Sequence, residues 1–180
     1  MDKIIMGIES SCDETAISIL KNDTELLANV VSTQIAINQK YGGGMPEVAS
    51  RLHVENVGVV LKEALEQAKI TMDEVSAIAV TVGPGLIGSL HVGLQCAKTL
   101  ALMYHKPLIP VHHLSGHIYA NEYVNPLKFP CLCIVVSGGN TELVVMDKHL
   151  SFNVIGETED DAIGEAFDKV ARVVGLPYPG

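Results

Sequence analysis

The chain has 180 residues, 48% of them hydrophobic and 18% charged, enough apolar material for a packed core and too little charge for a disordered segment. Its formal net charge is −9, with 12 Lys and Arg against 21 Asp and Glu. That balance argues against an unaided grip on nucleic acid, because phosphate binding needs clustered basic residues.

No stretch reaches the roughly 18 apolar residues of a transmembrane helix. The segment Met1–Glu9 carries Asp2, Lys3 and Glu9 and is too short for an apolar signal region. Cys12, Cys96, Cys131 and Cys133 form no paired C-x-x-C pattern, so a reduced cytoplasmic protein without a membrane partner is expected.

In chain order, a strand is expected at Ile4–Ile8, a polar loop at Glu9–Thr15 and a strand at Ala16–Leu20. A turn at Asn22-Asp23 and a strand near Leu26–Val31 follow. After Gly42-Gly43-Gly44, Pro46 suits the start of a helix, and Val57, Leu61, Ala64 and Ala68 continue it at helical spacing. Val75–Val82 reads as a buried strand, Leu86–Tyr104 as a small-residue helix and Leu108–Val111 as a strand. That strand runs into His112-His113 and a short helix.

The pattern then starts again. Cys131–Val136 is a strand, Ser137–Thr141 a tight loop, Glu142–Asp147 the returning strand and His149–Ile155 a third. Thr158 with Asp161 gives an N-cap pattern, and Ile163, Phe167, Val170 and Val174 form the expected inward stripe of a helix. The expected division is 1–127 and 128–180. The second unit stops after three strands and one helix, so an incomplete sheet is expected, as in a truncated chain or a fragment.

His113 and His117 are four apart and share one helix face. Such a pair either binds a metal ion or is a capping or core pair; a third ligand is usual. A zinc protease helix needs a Glu next to the first histidine, and Leu114, Ser115 and Gly116 stand between these two.

Gly83–Gly88 matches G-x-G-x-x-G between a strand and a helix, yet the next strand ends in Val111-His112-His113, with no acid there for a ribose. Ser89-Leu90 replaces the Lys-Ser/Thr of a P-loop. A structural turn with close helix–sheet packing is the better reading. The Ser137-Gly138-Gly139-Asn140-Thr141 loop offers backbone N–H groups to an anion, or is an ordinary hairpin turn. Asp13 and Glu14 make the first loop acidic, and Asp168 would accept from a ribose-like hydroxyl or pair with Lys169.

Taken together, these segments resemble the TsaD/Gcp/Kae family. The matching stretches are Gly7–Thr15, Pro46–Arg51, Gly83–Leu86, His112–His117, Val135–Thr141 and Gly164–Ala171, in family order over essentially the whole chain. The resemblance is to the amino-terminal portion of that family. It implies an α/β ASKHA fold (actin-like ATPase, RNase H-like), a mixed sheet flanked by helices, with two hairpin loops that hold nucleotide phosphates across a cleft.

The implied activity is acyl transfer: a threonylcarbamoyl group passes from threonylcarbamoyl-AMP to N6 of adenosine 37 of tRNA. By resemblance, His113 and His117 ligate one Fe2+ or Zn2+. Val135, Val136, Ser137, Gly138, Gly139 and Asp168 line the adenylate or ATP pocket, and Asp13 and Glu14 orient the incoming group. The third, acidic ligand of the family lies outside these residues, which implies a chain inactive on its own. Implied partners are tRNA (held through other regions or subunits), a paralogous TsaB-like subunit docking on first-unit helices, and a TsaE-like ATPase; a homodimer is the alternative assembly. The competing functions are a metal-dependent O-sialoglycoprotein endopeptidase (glycoprotease) and an ASKHA ATP-hydrolysing protein.

Overall fold

The computed structural model describes residues 2–22 and 24–180; Met1, and Asp23 of the expected turn, lie outside them. The chain divides into two compact units, Met1–His113 and Leu114–Gly180.

In the first unit, β1 (Ile4–Glu9), β2 (Glu14–Lys21) and β3 (Glu25–Thr33) form an antiparallel meander. β4 (Ala77–Gly83) and β5 (Leu108–His112) then add in parallel beside β1, giving the order β3-β2-β1-β4-β5. Period-two alternation turns Met6 and Ile8 of β1 and Ile17 and Ile19 of β2 inward. They meet Ile78 and Val80 of β4 in one cluster with Val60, Ala64 and Ala97. Those last three belong to α2 (Pro46–Ala68), which begins on a proline, and α3 (Ile87–Met103). Helix α2 packs on β2 and β3, and α3 on β4.

Close approach between α3 and the β1 end depends on missing side chains. A Cβ at Gly93 would strike the Ser10 hydroxyl, and one at Gly85 would sit 2.6 Å from the Ser11 carbonyl oxygen. The Gly83–Gly88 run thus packs a turn against the first loop, with Leu86 N–H donating to that same carbonyl at 2.8 Å.

The second unit repeats the meander: β6 (Cys131–Val136), β7 (Thr141–Met146) and β8 (Asn153–Glu157) pair antiparallel in that order. One face carries Val135, Val144 and Met146, packed with Leu114 and Ile118. Those two residues lie on α4 (His113–Tyr119), so the compact division falls after the first residue of α4, whereas the boundary expected from sequence follows the helix.

Some elements were not expected from the sequence, and some expectations need correction. A short helix, α1 (Ile35–Tyr41), closes on Gly42 in the left-handed conformation. A capping box joins Thr71 to Glu74. The strand expected at His149–Ile155 starts later, because His149 and Leu150 are held in a turn by Tyr119, whose hydroxyl accepts from Leu150 N–H at 2.9 Å. Thr158 donates to the Asp161 carbonyl and does not cap α5 (Ile163–Val174); the Ile163 N–H instead donates to the Thr141 hydroxyl at 2.9 Å.

The expected inward stripe of α5 faces outward. Phe167 is 57%, Val170 60% and Val174 63% exposed, while Ala171 is buried. Helical periodicity marks a face as apolar but does not say which face has a neighbour. Here α5 approaches its own unit through small residues, with Gly164 set against the Ser137 carbonyl.

Candidate active site

Three neighbouring parallel strands deliver the first group of residues at their carboxyl ends. Glu9 ends β1, Thr81 lies near the end of β4, and His113 follows directly on β5. In open α/β sheets this edge is where ligands bind.

The Glu9 carboxylate accepts from Ser11 N–H at 2.5 Å through Oε1. Through Oε2 it accepts from the Thr81 hydroxyl at 2.6 Å and from His113 Nδ1 at 3.0 Å. The Ser11 hydroxyl lies 3.1 Å from the same Nδ1. Burial pushes the Glu9 carboxyl upward, but the hydrogen bonds from His113, Ser11 and Thr81 outweigh it and bring its pKa down to about 2. Glu9 is therefore ionised at neutral pH.

The rest of the loop is pinned from below. Ser10 donates to the Ser89 carbonyl at 2.8 Å and accepts from Gly93 N–H at 3.0 Å. His53 of α2 is fully buried. Its Nε2 lies 2.9 Å from the Cys12 carbonyl, so it carries the proton, and Nδ1 accepts from the Thr15 hydroxyl at 2.7 Å. Asp13 and Glu14 follow. Gln34 N–H donates to the Asp13 carbonyl at 2.9 Å, and the Asn38 amide reaches the Asp13 carboxylate at 3.4 Å. Burial, and then the adjacent Asp13 carboxyl, push Glu14 up to about 7.

The histidine pair lies on α4, His113 at its first residue and His117 in its last turn. Two neutral imidazoles one helical turn apart suit iron or zinc. Among the described residues no group of three His, Cys, Asp or Glu is placed to hold a metal ion.

In the second unit, His117 lines a cavity of about 730 Å3 together with Asn121, Lys128, Ile134, Val135 and Val136. The Val135 side chain is buried in the apolar cluster, while Val136 is exposed. The Ser137 loop is closed by Ser137 N–H donating to the Asn140 carbonyl at 2.8 Å and Asn140 N–H donating to the Ser137 hydroxyl at 3.2 Å. Gly138 and Gly139 form its tip. Asp168 lies on α5 and accepts from Gly180 N–H at 2.7 Å. Lys169 pairs with Asp161 and not with Asp168.

The sequence assigns no role to Thr81 or His53, and none to Glu9 beyond its place in the Gly7–Thr15 stretch. Nothing local marks Glu9 as the partner of a histidine 104 residues away; a carboxylate ending a strand beside a polar loop was the only signal.

The meander extended by parallel strands in the first unit, with its meander repeated in the second, defines an ASKHA-type α/β protein. Solved structures agree on the fold alone. YeaZ from Pseudomonas aeruginosa matches with TM-score 0.56 at 12% identity, over 87% of this chain and 66% of that one. The ethanolamine utilization protein EutJ from Carboxydothermus hydrogenoformans matches at 0.57 and 12% identity, over 97% and 58%. The activator of 2-hydroxyisocaproyl-CoA dehydratase from Clostridium difficile, with bound ADPNP, gives 0.53 at 16% identity, over 98% and 53%.

At the level of sequence, the family model for TsaD, tRNA N6-adenosine threonylcarbamoyltransferase, matches residues 25–180, and the chain belongs to that family. A relative of that name from Staphylococcus epidermidis is 58% identical over 179 residues, 99% of this chain and 53% of its own length. One from Bacillus cereus is 59% identical over 177 residues, 98% and 52%. The chain thus spans about half the length of the curated relatives it matches.

Proposed function

We propose that this chain contributes one part of a site that transfers threonylcarbamoyl from threonylcarbamoyl-AMP to N6 of adenosine 37 in tRNA. Family membership suggests the reaction. The observation in this structure that best supports it is His113, placed at the carboxyl ends of three parallel strands and bonded to the partly buried Glu9 carboxylate.

In this reading the N6 amine attacks the carbamoyl carbonyl carbon. The N–C bond forms, the C–O bond to the AMP phosphate breaks, and AMP leaves. One amine proton must be taken up, and Glu14, with a pKa near 7, is suited to accept it; Asp13 beside it orients the group. Gly138 and Gly139 present backbone N–H groups to the departing phosphate, Ser137 adds a hydroxyl, and Asp168 accepts from a ribose hydroxyl. Val135 and Val136 wall the nucleotide side. His113 and His117 hold one Fe2+ or Zn2+, which when bound supplies Lewis-acid polarisation of the carbonyl oxygen.

A paralogous subunit docking on the first-unit helices, a small ATPase, and tRNA held by regions other than this acidic chain complete the proposed assembly. No helix among the described residues is long and apolar enough to cross a membrane. All four cysteines are unbridged, in keeping with the proposed cytoplasmic setting.

The test is a chimera in which these 180 residues replace the matching stretch of the Staphylococcus epidermidis relative. Supplied with threonylcarbamoyl-AMP, tRNA and the partner proteins, it should yield N6-threonylcarbamoyladenosine in nuclease digests read by mass spectrometry. The His113→Ala/His117→Ala chimera should lose both the product and the iron or zinc found by elemental analysis. A folded chimera that makes no product, beside an active parent, would refute the proposal.

A further inference from the structure

We propose that Glu9 is a positioning residue for His113: its carboxylate holds the imidazole by Nδ1, so that Nε2 is the nitrogen offered to a metal ion, and it thereby sets metal affinity. The inference rests on the reading of His113 as a metal ligand.

The tautomer follows from chemistry. An ionised carboxylate has only acceptors, so the 3.0 Å contact between Glu9 Oε2 and His113 Nδ1 requires the proton on Nδ1. Neutral imidazole then carries its lone pair on Nε2. Glu9 is itself fixed in place, because Ser11 N–H and the Thr81 hydroxyl also donate to it. Its position is set by β1 and that of Thr81 by the adjoining β4, while His113 follows β5, the next strand over. The orientation of the ring is therefore tied to the sheet and not to the seven-residue helix alone. Carboxylates that accept from a ligating histidine typically strengthen metal binding about 10–100-fold, by fixing ring orientation and raising basicity.

A Glu9→Gln substitution keeps shape but turns one acceptor oxygen into a donor, so either Ser11 N–H or the His113–Thr81 side loses its partner. The experiment uses the full chain, with Zn2+ affinity read by competition against a chromophoric chelator. Imidazole tautomers are read by long-range 15N–1H spectra of the metal-free protein.

The expected result is a δ-protonated His113 in the wild type and roughly 10–100-fold weaker zinc binding in Glu9→Gln. An ε-protonated His113 or unchanged zinc affinity in folded Glu9→Gln would each overturn the proposal. Should Glu9→Gln not fold, the wild-type tautomer decides. Zinc bound equally well by His113→Ala would instead show that the metal-ligand reading has failed.

Discussion

Glu9 and Glu14 bracket one short loop yet titrate in opposite directions, one held down to about 2 and the other raised to about 7. Both are partly buried; what differs is the company. Glu9 faces three donors, whereas Glu14 faces another carboxyl and accepts from the Thr33 hydroxyl at a long 3.4 Å. Because the folded-state pKa of Glu14 lies above its unfolded value of 4.5, its stabilising contribution is fully present below about pH 4.5 and is lost as pH rises through about 7. Glu14→Gln should therefore flatten the fall in melting temperature between pH 5 and 8 and raise stability at pH 8, as thermal melts at each pH would show. An unchanged pH profile would place the ionisation elsewhere. His53 makes a complementary case: it is fully buried with both ring nitrogens bonded. Its replacement by Ala should cost about 2–4 kcal/mol in urea unfolding, combining a cavity with two stranded polar groups. At this scale the placement of His113 and His117 one turn apart on a helix was legible because i,i+4 spacing is local. Glu9 and His53 were not, because their roles come from contacts that only the folded sheet creates.

Strands and their loops were legible wherever apolar residues alternated, and β6 fell where period-two reasoning put it. Helix α5 shows the limit of that reasoning: its stripe was read correctly as apolar and wrongly as inward. The α3 contact shows another kind of hidden information. Gly93 in the middle of a helix reads as a weakness, about 1 kcal/mol against Ala, yet a Cβ there would collide with Ser10. Gly93→Ala should thus destabilise by about 1–3 kcal/mol despite its better helix propensity. Ser10→Ala alone should cost about 1 kcal/mol, through the bonds to Ser89 and Gly93 that it removes. Combined, the two should cost less than their sum, because deleting the hydroxyl makes room for the methyl. A double-mutant cycle in urea that proved additive would mean the helix shifts instead of clashing.

The repeated meander was readable at the scale of the whole chain, but the two units differ in how well each is covered. The first has α2 and α3 packed on its sheet, and Met6, Ile17, Ile19, Val75, Ile78 and Val80 are almost wholly shielded from solvent. In the second, Val135, Val144 and Met146 are buried on one face of the sheet while Leu132, Ile134 and Val136 of β6 lie exposed, as does the apolar side of α5. Burial of apolar area is the main favourable contribution to folding, at roughly 25 cal/mol per Å2. Local opening is therefore easier where one face of a sheet is bare. Amide hydrogen exchange should accordingly show β1, β2 and β4 among the slowest sites in the chain, and β6–β8 exchanging at least about tenfold faster at the same pH. Adding ANS, an anionic dye whose aromatic rings bind exposed apolar surface, should give fluorescence that falls in an Ile134→Ser/Phe167→Ser variant, both side chains being exposed and apolar. Equal protection in β7 and β1 would mean that the meander is stable without cover on its second face. The stability difference would then have to be sought in the loops.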